Sequence, residues 1–282
     1  MTQAATGFQN PLLHSPERAM PSKIAIIGAG TIGPDIGYYL LSALPELTLY
    51  LVDIDAGALE RATERIEAYV QKGLARKKLS EAQATAIRAN LKPTLNYEDF
   101  ADADWVLEAA TENLSLKHKI FAQVEEIVSP TALITSNTSS IPASRLFSEL
   151  KHKNRATVTH FFTPAFKNPV VEVIRWDDGD DTLVDYLRWF FCATGKVPIV
   201  TSDDIAFMLD RVFTNWCNEA VYLSSKYTPA QIDTVASEFV HAGPFFVLNL
   251  TNGNPIIVET NTLQMEEGEH YRPAPILSLQ GK

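Results

Sequence analysis

By side-chain type and spacing, His160 and Glu172 are the pair in this chain most suited to moving a proton; twelve positions separate them. Each sits in a short apolar run of strand character, Ala156 to Phe162 and Val170 to Ile174, and a proline-containing connection joins the two runs. If the strands pair antiparallel about Phe166, positions 160 and 172 face each other. Directly opposed Cβ atoms lie about 4.5–5.5 Å apart, within reach of an imidazole–carboxylate hydrogen bond. Such a carboxylate fixes the ring tautomer, stabilises imidazolium and makes the imidazole a stronger base. Oxidation of an alcohol needs a base of this kind, because the hydroxyl proton must leave as the hydride does. A purely structural His–Glu pair at a strand end would have the same spacing, so a second sign of redox chemistry is required. The other histidines offer none: His14 and His270 fall in expected tails, His152 in a loop, and His118 and His241 on helices.

That second sign lies near the amino terminus. Ile24 to Ile27 form a continuous apolar run, which suits a strand buried on both faces of a parallel sheet. The run enters Gly28-Ala29-Gly30-Thr31-Ile32-Gly33, after which Ile32, Ile36, Leu40 and Ala43 recur at helical spacing. Pro34 and Asp35 stand in the first helical turn, where a missing N–H costs little and a carboxylate meets the positive end of the dipole. A second apolar run ends in Asp53, 23 positions after Gly30. Strand, glycine turn, helix, strand and acid in this order are the context a dinucleotide fingerprint requires, whereas the glycine motif alone would fit a turn in some other α/β protein. Gly28 permits the tight turn, Gly30 lets backbone approach a pyrophosphate, and Gly33 allows close helix–strand packing. Thr31 and Ile32 lie between the last two of these glycines. A carboxylate at position 53 accepts hydrogen bonds from an adenosine ribose and repels a 2′-phosphate, which favours NAD over NADP.

Further elements must position these groups. A helix is expected over 56–78, ending in a basic cluster of Lys72, Arg76, Lys77 and Lys78, and another from Ser80 to about Asn90. The cluster reads either as a solvated helix end or as an anchor for the phosphates of a bulky substrate carrier. Apolar strands at Trp105–Ala110, 132–137 and 196–200 alternate with helical stretches, which implies a Rossmann-type, doubly wound, mostly parallel sheet. From Ile205 the pattern turns helical: 207–226, a stretch opened by Thr228 and Pro229 and running to about His241, and a third from Gly243. The expected organisation is a loose N-terminal extension (1–22), an α/β domain (23–201) and a smaller all-helical C-terminal domain (202–282). Tyr222 and Lys226 match a Tyr-x-x-x-Lys pair of other dehydrogenases, but they lie beyond the last expected strand.

Composition narrows the class. The chain of 282 residues is 46% hydrophobic and 21% charged, ordinary values for a globular protein, and its net charge of −10 argues against nucleic-acid binding. No apolar run approaches membrane-spanning length. Two cysteines, Cys192 and Cys217, make neither a disulfide framework nor a metal-ligand set, which fits a reduced cytoplasmic setting.

Seven motifs occur in order: Gly28 to Gly33, Glu108-Ala109-Ala110-Thr111-Glu112-Asn113-Leu114, Ser136-Asn137-Thr138-Ser139-Ser140, His160-Phe161-Phe162, Val171-Glu172-Val173-Ile174, Gly195-Lys196-Val197-Pro198 and Tyr271-Arg272-Pro273-Ala274-Pro275. Together they resemble the L-3-hydroxyacyl-CoA dehydrogenase family over about residues 23 to 277. The resemblance implies a Rossmann domain followed by a helical dimerisation domain, a homodimer, and NAD-dependent interconversion of 3-hydroxyacyl-CoA and 3-ketoacyl-CoA. It makes His160 the catalytic base, Glu172 its partner and Ser139 the serine that hydrogen-bonds the reacting oxygen. Glu112 and Lys117 match residues around the nicotinamide half of the cofactor, and Arg76 falls near a CoA-contacting basic position.

Three departures accompany it. Thr163 stands where the family reads His-Phe-Phe-Asn, at the edge of the cofactor site. Asp210 stands in Ala206-Phe207-Met208-Leu209-Asp210-Arg211 where the family reads Gly-Phe-x-x-Asn-Arg, and an ionised carboxylate accepts hydrogen bonds but donates none to a thioester or keto oxygen. The family's glycine-rich tail is missing after Pro275, so a shortened chain or one piece of a longer multifunctional protein is expected. An acyl-CoA is the first substrate reading. A free hydroxy acid, as in gulonate dehydrogenases, and a noncatalytic NAD-binding paralogue are the alternatives.

Overall fold

The computed structural model describes residues 10–13, 15–251 and 254–279, so His14 lies outside the described residues. The chain divides into two compact units, one reaching to Thr138 and resuming over Ala143–Asp203, the other made of Ser139–Pro142 and everything from Asp204 onward.

The first unit holds β1 (Lys23–Ile27), α1 (Gly33–Ala43), β2 (Thr48–Val52), α2 (Ala56–Ala75), α3 (Glu81–Asn90), β3 (Leu91–Thr94), β4 (Trp105–Glu108), α4 (Leu114–Ile127), β5 (Leu133–Ser136), α5 (Ala143–Leu146), β6 (Ala156–Phe161), β7 (Val170–Arg175), α6 (Asp181–Ala193) and β8 (Val197–Ser202). The strands form one eight-stranded sheet in the order β3-β2-β1-β4-β5-β6-β7-β8. Every pairing is parallel except β6 with β7. Ile24, Ile26, Leu49, Leu51 and Leu107 are fully buried, each contributing about 1.5–3 kcal/mol by leaving water. Trp105 packs edge-on against Phe190 at 5.1 Å, and its indole N–H donates to Thr135 Oγ1 at 2.8 Å, so this large side chain is buried without an orphaned donor.

The second unit is helical: α7 (Leu209–Leu223), α8 (Pro229–Ala236), α9 (Pro244–Thr251), α10 (Asn254–Gln264) and α11 (Pro275–Leu279). Its core gathers Cys217, Val221, Leu248, Ile257, Ala274 and Leu277. Thr228 opens α8 with a reciprocal capping box to Gln231.

Several boundaries differ from the sequence reading. Strand β3 carries no apolar alternation to announce it. It pairs on one side only, with β2, and so tolerates Pro93, which has no N–H to give. Helix α2 stops at Ala75 because Lys77 turns left-handed (φ 54°) and Lys78 N–H returns to Gly73 O at 2.8 Å. Helix α7 starts at Leu209 because Ala206 and Phe207 both have positive φ, 63° and 50°. Helix α8 ends five residues before His241. The stretch before β1 is docked where described: Arg18 donates to Thr131 O at 2.9 Å, Tyr186 to Ala19 O at 3.0 Å, and Ser22 N–H to Asp104 at 2.7 Å.

The glycine turn is the tightest point in the first unit. Gly28 has φ 116°, and a Cβ there would lie 2.4 Å from Ala109 O; a Cβ on Gly33 would lie 1.9 Å from Gly28 O. Gly33→Ala is therefore expected to lower the unfolding free energy by about 3 kcal/mol or more, read by urea denaturation. Wild-type stability in that variant would show that the turn yields.

Candidate active site

The functional side chains gather at the carboxyl edge of the sheet, where β1 and β4 diverge toward opposite ends of the strand order. In open α/β sheets that reversal point is the ligand crevice. Gly28 N–H donates to Val52 O at 2.7 Å, locking the turn after β1 onto the end of β2. Asp53 follows β2 and accepts from Ala29 N–H at 2.8 Å and from Asp55 N–H at 3.0 Å. Each carboxylate oxygen keeps a further lone pair, so Asp53 braces the turn and can still receive a ribose hydroxyl. Helix α1 has no side-chain cap at its N-terminus, which leaves backbone donors for an anion. A turn with Gly28, Gly30 and Gly33, uncapped donors and a carboxylate after β2 fit a dinucleotide.

Next along the edge, β4 ends in Glu108, which is fully buried. Its Oε1 accepts from Lys117 Nζ at 2.6 Å and from Ala110 N–H at 2.7 Å, and its Oε2 from Ser136 Oγ at 2.5 Å. Lys117, one turn into α4, also meets Glu112 at 3.2 Å, and Thr138 Oγ1 donates to Glu112. The structure thus joins Glu112 and Lys117. It adds two residues the sequence reading passed over. Glu108 and Ser136 end different strands, 28 positions apart, and only the parallel register Glu108↔Ser136 brings them together.

On β6, His160 pairs in register with Glu172 of β7. Nδ1 and Oε2 are 2.9 Å apart, with side-chain exposures of 5% and 0%. An ionised carboxylate only accepts, so in the neutral ring Nδ1 carries the hydrogen and Nε2 the lone pair. The Phe162 ring lies 4.4 Å from the imidazole, and Asn137 Oδ1 accepts from Phe161 N–H at 2.8 Å, fixing the backbone beside His160. The connection that follows is held by Lys196, whose Nζ donates to Ala165 O and Asn168 O and lies 4.4 Å from the Tyr39 ring centroid. Burial pushes the Lys196 ammonium down to about 8. Thr163 lies in this connection, its carbonyl accepting from Asn168 Nδ2 at 2.8 Å.

The remaining expected residues stand on other elements. Arg76 is an exposed residue at the C-terminal cap of α2. Ser139 belongs to the short segment grouped with the helical unit, where Ala206 N–H donates to Ser140 O at 3.1 Å. Asp210 stands in the first turn of α7. The Tyr222–Lys226 match is structural: Lys226 lies past the end of α7, and Tyr222 donates to Arg272 O at 3.1 Å.

A family model described as "3-hydroxyacyl-CoA dehydrogenase, NAD binding domain" matches residues 23–205. The chain is 31% identical over 247 residues to the glyoxysomal fatty acid beta-oxidation multifunctional protein MFP-a of Brassica napus, covering 87% of this chain and 34% of that protein. It is 33% identical over 191 residues to the fatty acid oxidation complex subunit alpha of a Psychrobacter species, covering 68% of this chain and 26% of that one. It therefore spans about a third or less of the length of these curated relatives. Among solved structures, (S)-3-hydroxybutyryl-CoA dehydrogenase of Ralstonia eutropha superposes with TM-score 0.85 at 28% identity, covering 92% of this chain and 93% of that one.

The buried Glu108–Lys117 pair supplies its own test. Removing one partner of a buried ion pair costs about 3–5 kcal/mol, while replacing both by apolar groups is often near neutral. Glu108→Ala is expected to lose about that much in urea unfolding, and the double variant Glu108→Leu/Lys117→Met to recover most of it. A double variant no more stable than the single would contradict the pairing.

Proposed function

Because this chain belongs to the 3-hydroxyacyl-CoA dehydrogenase family, we propose that it oxidises an L-3-hydroxyacyl-CoA, or a related 3-hydroxy acid, to the 3-keto compound with NAD as acceptor. The observation that carries the reading is the buried His160–Glu172 hydrogen bond of 2.9 Å at the same sheet edge as the glycine turn. NAD held by the glycine turn and Asp53 would supply the acceptor for the hydride that leaves the carbinol carbon. His160 Nε2 takes the hydroxyl proton, and the C–O bond becomes a carbonyl as the C–H bond breaks. Nδ1–H stays on Glu172, whose negative charge offsets the imidazolium that forms. Resemblance assigns Ser139 to the reacting oxygen, Glu112 and Lys117 to the nicotinamide side, Thr163 to the edge of the cofactor site and Arg76 to the phosphates of CoA. At Asp210 a carboxylate accepts hydrogen bonds and donates none, which suits a cationic or hydroxyl-rich group better than a thioester oxygen.

The helical unit serves as a pairing surface for a second copy. What supports this is the exposure of apolar side chains in that unit, with Val212 67%, Phe239 82% and Leu250 73% accessible. Both cysteines are free thiols, in keeping with a cytoplasmic setting. Among the described residues no helix is long and apolar enough to cross a membrane.

NADH formation should be compared for 3-hydroxybutyryl-CoA, free 3-hydroxybutyrate and gulonate. Turnover of the thioester supports the first substrate reading, turnover of a free acid alone the second, and NADH binding without turnover of any of them a noncatalytic protein. On the preferred substrate, His160→Gln is expected to lower kcat by at least about 100-fold with NADH affinity retained. Full activity in that variant would remove His160 as the base.

A further inference from the structure

At the helix end built to receive a diphosphate, this chain places a carboxylate of its own. Asp35, in the first turn of α1, is fully buried. A carboxylate withdrawn from water must be paired; beside a backbone hydrogen bond at Ala165, its side-chain partners come from α2. Arg65 Nη2 donates to Asp35 Oδ1 at 2.7 Å, and Tyr69 OH to the same oxygen at 2.9 Å. Arg65 Nε donates to Tyr69 OH at 2.6 Å, closing a triangle. The Tyr69 ring is wedged against Phe166, with centroids 4.4 Å apart. The remaining arm of the guanidinium, Nη1, donates to Thr31 O inside the glycine turn at 2.9 Å. Burial raises the Asp35 pKa above the ordinary carboxylate value, and Tyr69 and Arg65 oppose that rise.

One planar fork therefore grips the turn and the helix at once, a span that a single ammonium cannot reproduce. In a trans peptide the C=O and the next N–H point in opposite directions. With the Thr31 carbonyl held toward Arg65, the Ile32 N–H points away from it. The electrostatic consequence is larger. Without Arg65, an unbalanced carboxylate would face any diphosphate bound at the helix N-terminus, and the dipole would have to serve two anions.

We propose that Arg65 is a positioning residue for the dinucleotide, neutralising Asp35 and holding the Thr31 carbonyl so that the α1 N-terminus remains an anion site. The inference rests on NAD being the cofactor, and it is tested by affinity, not turnover.

NADH is titrated by fluorescence against the full chain and its variants, with thermal melts run alongside. A wild-type chain that binds no NADH would sink the cofactor reading itself. With binding established, Arg65→Met is expected to raise the NADH Kd about tenfold or more. The double variant Arg65→Met/Asp35→Asn is expected to recover most of that loss. Asp35→Asn alone keeps the shape, removes the charge and leaves Arg65 facing the diphosphate, so its Kd is expected to fall about threefold. That arm decides the matter even where Arg65→Met does not fold. A merely structural triangle would lower the melting temperature of Arg65→Met without moving Kd. It would also leave the Kd of Asp35→Asn unchanged or raised. Either result overturns the proposal.

Discussion

A hydrogen bond between two buried side chains, His160 and Glu172, depends on one reversal of strand direction in a sheet that otherwise runs parallel. Parallel neighbours need a crossover of a dozen residues or more, and that separation delivers no fixed register between nearby positions. The antiparallel step from β6 to β7 needs only the short connection through Phe166, and it sets His160 squarely against Glu172. β6 also pairs in parallel with β5, so the reversal happens beside the strand ends that carry the glycine turn and Glu108. The His160–Glu172 pair and the glycine turn are thereby fixed on one sheet.

The same edge carries several charges withdrawn from water, each with a built partner. Glu108 holds Lys117, Asp35 holds Arg65, and Lys196 is held by two carbonyls and the Tyr39 ring. Such pairs are weak sources of net stability, because desolvation consumes most of what the Coulomb attraction returns. Their use here is geometric. Glu108 fixes an ammonium and the backbone at Ala110, Arg65 fixes the carbonyl of Thr31, and Lys196 fixes the connection that follows His160. A binding edge assembled from several strand ends needs such ties, because no single element supplies enough of its residues.

What could be read beforehand follows a physical division. The glycine turn and Asp53 are legible because the whole requirement, strand, turn, helix, strand and acid, is local in the chain. His160 and Glu172 are legible because a tight antiparallel pair is nearly local too. Glu108 with Ser136, and Asp35 with Arg65, meet only through parallel register and helix packing, and no spacing rule reaches across those. Asp35 illustrates the limit: its position suggests a carboxylate at the end of a helix dipole, and only the structure shows it buried against a neighbouring helix. Strand β3 is hidden because an edge strand with one neighbour need not show an apolar pattern. The end of α2 and the start of α7 are hidden because left-handed Lys77, Ala206 and Phe207 leave no glycine to mark them. Thr163 and Asp210 were visible as departures from a family pattern, and their effect on substrate choice depends on chemistry outside the chain.

The most direct measurement is the protonation pattern of the His160 ring, obtained by nitrogen-15 NMR on the full chain at a pH where the ring is neutral. The expected pattern is hydrogen on Nδ1, engaged with Glu172, and a lone pair on Nε2, with that preference weakened in Glu172→Gln. A ring carrying its hydrogen on Nε2 would have no lone pair to offer a substrate hydroxyl and would contradict the base assigned to it.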